Sequence, residues 1–249
     1  MLIITKINKF ILDILFPIKC ISCGKENEWL CESCQARIKI RDEHVCGICE
    51  RVITPDGRTC LACKKIANKK SQGGAIDGFI VASSYLQFPI ASAVHLFKYR
   101  FIRDLHIPLG NLLVRVLQKT EIPLPDIIVS VPLHHRRLRW RGFNQASLLA
   151  KHLAMNLLTH NIIPFDEDLL IRNRHTSPQM RISDYKFRKL NIADAFSILP
   201  NSDIKNKTIL LVDDIATTGS TIFECAKVLK AAGAKEVFAI VVARQETGA

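Results

Sequence analysis

LLVDDIATTGST, residues 210–221, decides the fold. The aliphatic run that begins at Lys207 reads as a strand over 207–214. It is apolar at nearly every position, as in a parallel sheet covered on both faces. TIFECAKVLKAAG, residues 221–233, has helical periodicity. Strand, short loop and helix therefore follow one another directly. Two carboxylates, Asp213 and Asp214, end the strand, where open α/β sheets bind ligands. The loop Ala216, Thr217, Thr218, Gly219, Ser220 and Thr221 opens a helix whose unpaired N–H groups favour a phosphate. Four of those residues add hydroxyls, and Gly219 permits close approach or positive φ. Two acids beside a phosphate cradle repel the phosphate unless they hold something neutral or cationic. A sugar diol fits: each carboxylate accepts from a hydroxyl. The predicted ligand carries a phosphate about one sugar ring from a pair of hydroxyls. There is no G-x-x-x-x-G-K-[ST] and no G-x-G-x-x-G, which removes the P-loop and the dinucleotide fingerprint. A plain capped helix beside acids at a sheet edge leaves the paired acids and the glycine unexplained.

Working outward, GFIVASSYL (78–86), DIIVSVP (126–132), DLLIR (168–172) and EVFAIVVAR (236–244) read as strands. NQASLLAKHLAMNLL (144–158) reads as a helix with Leu148, Leu149, His152, Leu153 and Met155 near one face. Strands alternating with helices predict an α/β fold with a mainly parallel sheet flanked by helices. Cys225, alone in the last helix, reads as a buried structural residue.

The other cysteines are concentrated upstream. Eight of nine fall between Cys20 and Cys63, as four C-x-x-C pairs. Cys20/Cys23 and Cys31/Cys34 are separated by seven residues, Cys46/Cys49 and Cys60/Cys63 by ten. Two thiolates on one tight turn grip one side of a tetrahedral ion, and a second pair closes the site. Two structural Zn²⁺ sites follow; sequential grouping, Cys20/Cys23/Cys31/Cys34 and Cys46/Cys49/Cys60/Cys63, is the simplest, and an interleaved cross-brace is the alternative. An iron–sulfur cluster uses the same ligand type. His44 reads as a surface histidine rather than a ligand. The module either recognises nucleic acid or protein, or merely folds a segment too poor in hydrophobics to fold without metal.

The chain of 249 residues divides into an amphipathic helix over 1–16, the cysteine-rich module over 17–70, and an α/β domain over 75–249, with SQGG as the joint. At the N-terminus, Lys6, Lys9 and Asp13 interrupt the apolar residues and no small-residue cleavage site follows, so a packed helix is expected rather than a signal peptide. No stretch reaches the length of a membrane span. Reduced thiols and the lack of a span place the expected location in the cytoplasm. The net charge of +12 favours acidic partners. Two tetrathiolate zinc sites, each −2, would lower it to about +8.

HHRRLRWRGFNQ, residues 134–145, packs four arginines and two aromatics into twelve positions. Arg136, Arg137, Arg139 and Arg141 neutralise phosphates, and Trp140 and Phe143 stack on bases, if the stretch is a single-stranded nucleic-acid surface. Otherwise the arginines belong to the ligand pocket and the aromatics pack inward.

LLVDDIATTGST resembles the phosphoribosyl-pyrophosphate (PRPP) motif of type I phosphoribosyltransferases. The resemblance implies that Asp213 and Asp214 contact the ribose 2′ and 3′ hydroxyls and that Ala216 to Thr221 hold the 5′-phosphate, with Mg²⁺ on the pyrophosphate. RRLRWRGFNQASLLA (136–150), RNRHTSPQMRISDYKFRKLNIADAF (172–196), ILDILFPIKC (11–20) and LFKYR (96–100) extend it. Over about residues 8–245 the chain is similar to the ComF/GntX family, competence proteins with zinc-ribbon cysteines before a phosphoribosyltransferase-like domain. The resemblance implies a mobile loop bearing Arg174, Arg181 and Arg188 over the pyrophosphate. It also implies a role with incoming single-stranded DNA in natural transformation, beside competence-machinery proteins. Three functions fit these residues: a PRPP-binding DNA-uptake protein, an active phosphoribosyltransferase acting on a base, and a PRPP-sensing regulator that binds nucleic acid.

Overall fold

A computed structural model of the chain describes residues 17–70, 76–174 and 192–245. The expected helix over 1–16, the SQGG joint, and Arg181 and Arg188 lie outside the described residues. The core is a five-stranded sheet made of β1 (Gly78–Ser84), β2 (Ile127–Ser130), β3 (Phe165–Asp166), β6 (Thr208–Ala216) and β7 (Glu236–Arg244). Their order is β1-β7-β6-β2-β3, parallel at every pairing. DLLIR forms only β4 (Leu170–Arg172), which pairs antiparallel with β5 (Phe196–Ile198) in a separate two-stranded ribbon.

The aliphatic runs are explained by burial on both faces. Leu210 and Val212 of β6 point into one core, with Leu109 and Leu113 of α4 (His106–Leu117) and Leu149 and Leu153 of α6 (Gln145–Asn156). Ile209 and Leu211 point into the opposite core, with Ile222, Cys225 and Leu229 of α7 (Ser220–Ala231). Cys225 is fully buried there, and burial pushes its thiol well above the usual range. Met155, expected on the inner face of α6, is 55% exposed; Ala146 and Ala150 take the buried positions instead.

This division positions the candidate site. α6, which follows β2 after a short intervening helix, lies on one face of the sheet, and α7, which follows β6, on the other. β2 and β6 are neighbours, so their outgoing chains diverge and leave a crevice at their carboxyl ends, where such sheets bind ligands.

The cysteine-rich module contains two short helices, α1 (Glu32–Ala36) and α2 (Leu61–Lys70). Its first half joins the α4 side of the core through Leu30 and Ile38, and Arg115 donates to the Gln35 carbonyl at 2.8 Å. Its second half lies against β1 and β7. Among the described residues no helix is long and apolar enough to cross a membrane.

Candidate functional site

The crevice is a cleft of about 210 Å³. Val131 and Pro132 after β2, the end of β6, the start of α7, and α3 (Ile90–Tyr99) with α5 (His135–Arg141) form its walls. Asp213 and Asp214 both line it. β6 runs two residues further than the sequence suggests, through Ala216, because Ile215 and Ala216 still pair with Ala243 and Arg244. Ala216 is therefore a strand residue, and its carbonyl accepts from the Gln245 N–H at 2.8 Å.

The remaining loop residues divide. Thr217, Gly219 and Thr221 line the cleft, as does Ala216. Thr218 and Ser220 are buried, and their hydroxyls bond each other at 2.7 Å. Gly219 is the N-cap of α7 at φ 75, a backbone state that only glycine adopts readily. A Cβ there would lie 2.9 Å from the Phe223 ring. The N-terminal end of α7 adjoins this part of the cleft, which Gly219, Thr221 and Ile222 line.

Lys98 of α3 pairs with Asp214 at 2.8 Å, both side chains largely buried. Asp213 forms no such ion pair among the described residues. Burial, and then the charge of Asp214, push its carboxyl up to about 8. The two acids are thus unequal: Asp214 is paired with a lysine, whereas Asp213 has its carboxyl raised by burial and by its neighbour's charge.

Across from them stand three guanidiniums. Arg137 and Arg141, one helical turn apart on α5, both line the cleft, as does Arg172 at the end of β4. Arg141 donates to Gln145 Oε1 at 3.1 Å, and its buried Nε meets no partner among the described residues. Gln145 is itself anchored to the Phe97 carbonyl at 3.2 Å. Burial and then Arg141 lower the pKa of Arg137; burial and then Arg137 bring Arg172 down to about 10. Crowded cations that shift one another in this way are stabilised by a polyanion placed among them.

The basic stretch 134–145 therefore serves two faces. Arg137 and Arg141 point to the cleft. Arg136, Arg139 and Trp140 are exposed on the outer side of α5, with Trp140 64% exposed and edge-on to Phe101 at 5.2 Å. Phe143 is not available for stacking on bases: it is buried against Phe97 at 5.8 Å. Arg174 is exposed and donates to the Ala193 carbonyl at 2.6 Å.

The eight upstream cysteines form two groups, Cys20/Cys23/Cys31/Cys34 and Cys46/Cys49/Cys60/Cys63, with all four sulfurs of each within 4.8 Å. The grouping is sequential, not interleaved. Thiolates bound tetrahedrally at about 2.3 Å from zinc lie roughly 3.8 Å apart. The Cys23–Cys31 and Cys49–Cys60 sulfurs are 3.6 and 3.9 Å apart, so both groups fit structural zinc. His44 takes no place in either group.

Lys98, Arg172 and Gln145 are site residues that the sequence did not single out. For Arg172 a signal was present: it ends a predicted strand, at the carboxyl side where ligands gather. Lys98 lies within LFKYR, a segment that shares in the family resemblance, but nothing local to it points to a partner at Asp214.

Comparison with known proteins bears on both halves. A family model described as phosphoribosyl transferase domain matches residues 142–249, and one described as double zinc ribbon domain matches residues 11–70. Competence protein F of Haemophilus influenzae is 31% identical over 231 residues, covering 89% of this chain and 95% of that protein. DNA utilization protein YhgH of Escherichia coli K12 is 30% identical over 221 residues, covering 84% of this chain and 93% of that protein. Glutamine PRPP amidotransferase from B. subtilis is 21% identical and superposes with a TM-score of 0.36 over 55% of this chain and 26% of that one.

Proposed function

This chain belongs to the family of competence protein F and DNA utilization protein YhgH, and from that premise we propose that it binds PRPP in the cleft between β2 and β6 and handles single-stranded DNA during uptake and natural transformation. One observation carries the PRPP reading. The acid pair, the N-terminus of α7 and the cluster of Arg137, Arg141 and Arg172 all open into one cleft. Asp213 and Asp214 accept from the ribose 2′ and 3′ hydroxyls. Thr217 to Thr221 hold the 5′-phosphate. The guanidiniums face the pyrophosphate with its Mg²⁺, and Arg174, Arg181 and Arg188 are assigned as further cations for it. Residues 1–16, 17–70 and 75–249 are the three functional parts, with zinc fixing the second. Thiolate zinc sites and PRPP both suit the cytoplasm, in contact with other proteins of the competence machinery.

Protonation provides a test. Burial and the charge of Asp214 raise the Asp213 carboxyl to about 8, so below that pH it favours its proton. Accepting from a ribose hydroxyl requires the carboxylate. Below pH 8, PRPP binding therefore expels close to one proton from Asp213, and this contribution tightens binding by up to about tenfold per pH unit until it levels above 8. Titration calorimetry at pH 7, in buffers of different ionisation heat, should show this release in the wild type and its loss in Asp213→Asn. Identical proton counts in the two proteins would remove Asp213 from the diol site.

DNA contact is assigned to the outer side of α5, where Arg136, Arg139 and Trp140 are exposed beside the cleft mouth. Replacing both arginines with alanine should lower the slope of log affinity against log salt by roughly 0.7 for each phosphate no longer neutralised. Trp140→Ala should cost about 1–3 kcal/mol of single-strand binding. A triple variant that binds single-stranded DNA like the wild type excludes this surface.

The second reading is an active transferase. Tyr85, His95 and Tyr99 line the same cleft and offer a wall for a planar acceptor. Pyrophosphate release with a panel of bases, PRPP and Mg²⁺ separates turnover from binding alone.

A further inference from the structure

Arg244, the last residue of β7, is only 7% exposed and lies between the second cysteine group and the loop after β6. On one side its Nε donates to the Thr217 carbonyl at 3.1 Å and its Nη2 to the Thr218 carbonyl at 3.3 Å. On the other side Nη1 donates to the Gly47 carbonyl at 3.5 Å, and Nη2 pairs with the carboxylate of Glu50. Gly47 follows Cys46 directly and Glu50 follows Cys49 directly, so both belong to the same knuckle. The guanidinium also lies over the Phe79 ring, 5.3 Å from its centroid. Phe79 is pressed from both directions. A Cβ at Gly47 would come within 2.6 Å of its side chain, and one at Gly219 within 3.4 Å of its ring.

The peptide geometry gives this contact a consequence. In a planar trans peptide the carbonyl and the following N–H point in opposite directions. A guanidinium that holds the carbonyls of Thr217 and Thr218 turns the N–H groups of Thr218 and Gly219 away from itself. Arg forks do this with a fixed geometry that lysine lacks. Arg244 is itself oriented by Glu50 and Gly47, whose positions depend on the closure of the Cys46/Cys49/Cys60/Cys63 group.

We propose that Arg244 is a positioning residue that couples the second zinc centre to the phosphate loop, so that zinc loading there sets PRPP affinity and bound PRPP retards zinc loss. The inference rests on the PRPP reading given above. By linkage, the factor by which zinc tightens PRPP equals the factor by which PRPP tightens zinc, and slower zinc loss is the kinetic sign expected of the second.

The test uses the zinc-loaded full chain as wild type, Glu50→Gln and Arg244→Lys. Three quantities are measured: PRPP affinity, zinc release to a chromogenic chelator with and without PRPP and Mg²⁺, and amide exchange over residues 216–221. In the wild type PRPP should slow loss from the second centre roughly fivefold or more, and leave loss from the first centre unchanged. Glu50→Gln, which keeps the size of a half-exposed side chain and is checked for wild-type zinc content, should speed exchange in the loop and erase much of that protection. Arg244→Lys, with both zinc ions retained, should weaken PRPP by about tenfold. Zinc loss indifferent to PRPP, wild-type loop exchange in Glu50→Gln, or wild-type PRPP affinity in Arg244→Lys overturns the coupling. A wild type that binds no PRPP overturns the PRPP reading itself and the coupling with it. The exchange arm needs no ligand, so unchanged loop exchange in Glu50→Gln overturns the coupling even where PRPP binds normally.

Discussion

Replacing Asp213 and Asp214 together by asparagine should abolish PRPP binding and leave two zinc ions per chain. Each carboxylate removed takes with it a charge-assisted hydrogen bond of about 1.5–3 kcal/mol. Two of them lower affinity by at least about 100-fold. The variant will also be less stable, because Asp214 is buried against Lys98 at 2.8 Å. Removing one partner of such a pair leaves an uncompensated cation and costs about 3–5 kcal/mol. Asp213→Asn pulls the other way, since that carboxyl is pushed up to about 8 by burial and by Asp214 and the amide has no charge to desolvate. Melting curves and zinc content, measured beside calorimetric PRPP affinity, separate folding from binding. Unaltered PRPP affinity in a folded double variant removes the acid pair from the site.

Stripping zinc should have an effect of similar size on a different part of the molecule. Structural zinc contributes on the order of 10 kcal/mol to small cysteine-rich folds. The module has little else to hold it: Cys20, Cys31, Cys34 and Cys46 are themselves among its buried residues. Chelation should make residues 17–70 protease-sensitive first, while a fragment bounded by β1 and β7 survives longer. The melting temperature of the whole should drop, because Leu30 and Ile38 leave the core they share with α4. A zinc-free module as resistant as the loaded one contradicts a structural role for both cysteine groups.

The fold was legible because the strongest sequence signals coincide with its most buried parts. β6 and β7 are aliphatic at nearly every position since both faces of the sheet are covered. The short strands carried less information: DLLIR has the composition of a core strand, yet it pairs only with β5. The cysteine groups were legible from spacing alone, while their sequential grouping required geometry. The position of the acids at a strand end could be read from the chain, but their inequality could not. It depends on Lys98, which reaches Asp214 from a helix far upstream. The basic stretch was legible as charge and illegible as direction. Once α5 starts at His135, a 3.6-residue turn places Arg137 and Arg141 on the cleft side and Arg136 and Arg139 outside. Arg244 gave no local sign of its role, since its partners lie in the cysteine module and in the loop after β6.

The most direct measurement of the central claim is a crystal structure of the zinc-loaded protein with PRPP and Mg²⁺. The 5′-phosphate should sit at the N-terminus of α7 against residues 217–221. The ribose hydroxyls should lie within hydrogen-bond distance of Asp213 and Asp214, and the pyrophosphate should face Arg137, Arg141 and Arg172. A cleft that stays empty at saturating PRPP, or a ligand bound with its phosphate away from that loop, contradicts the account.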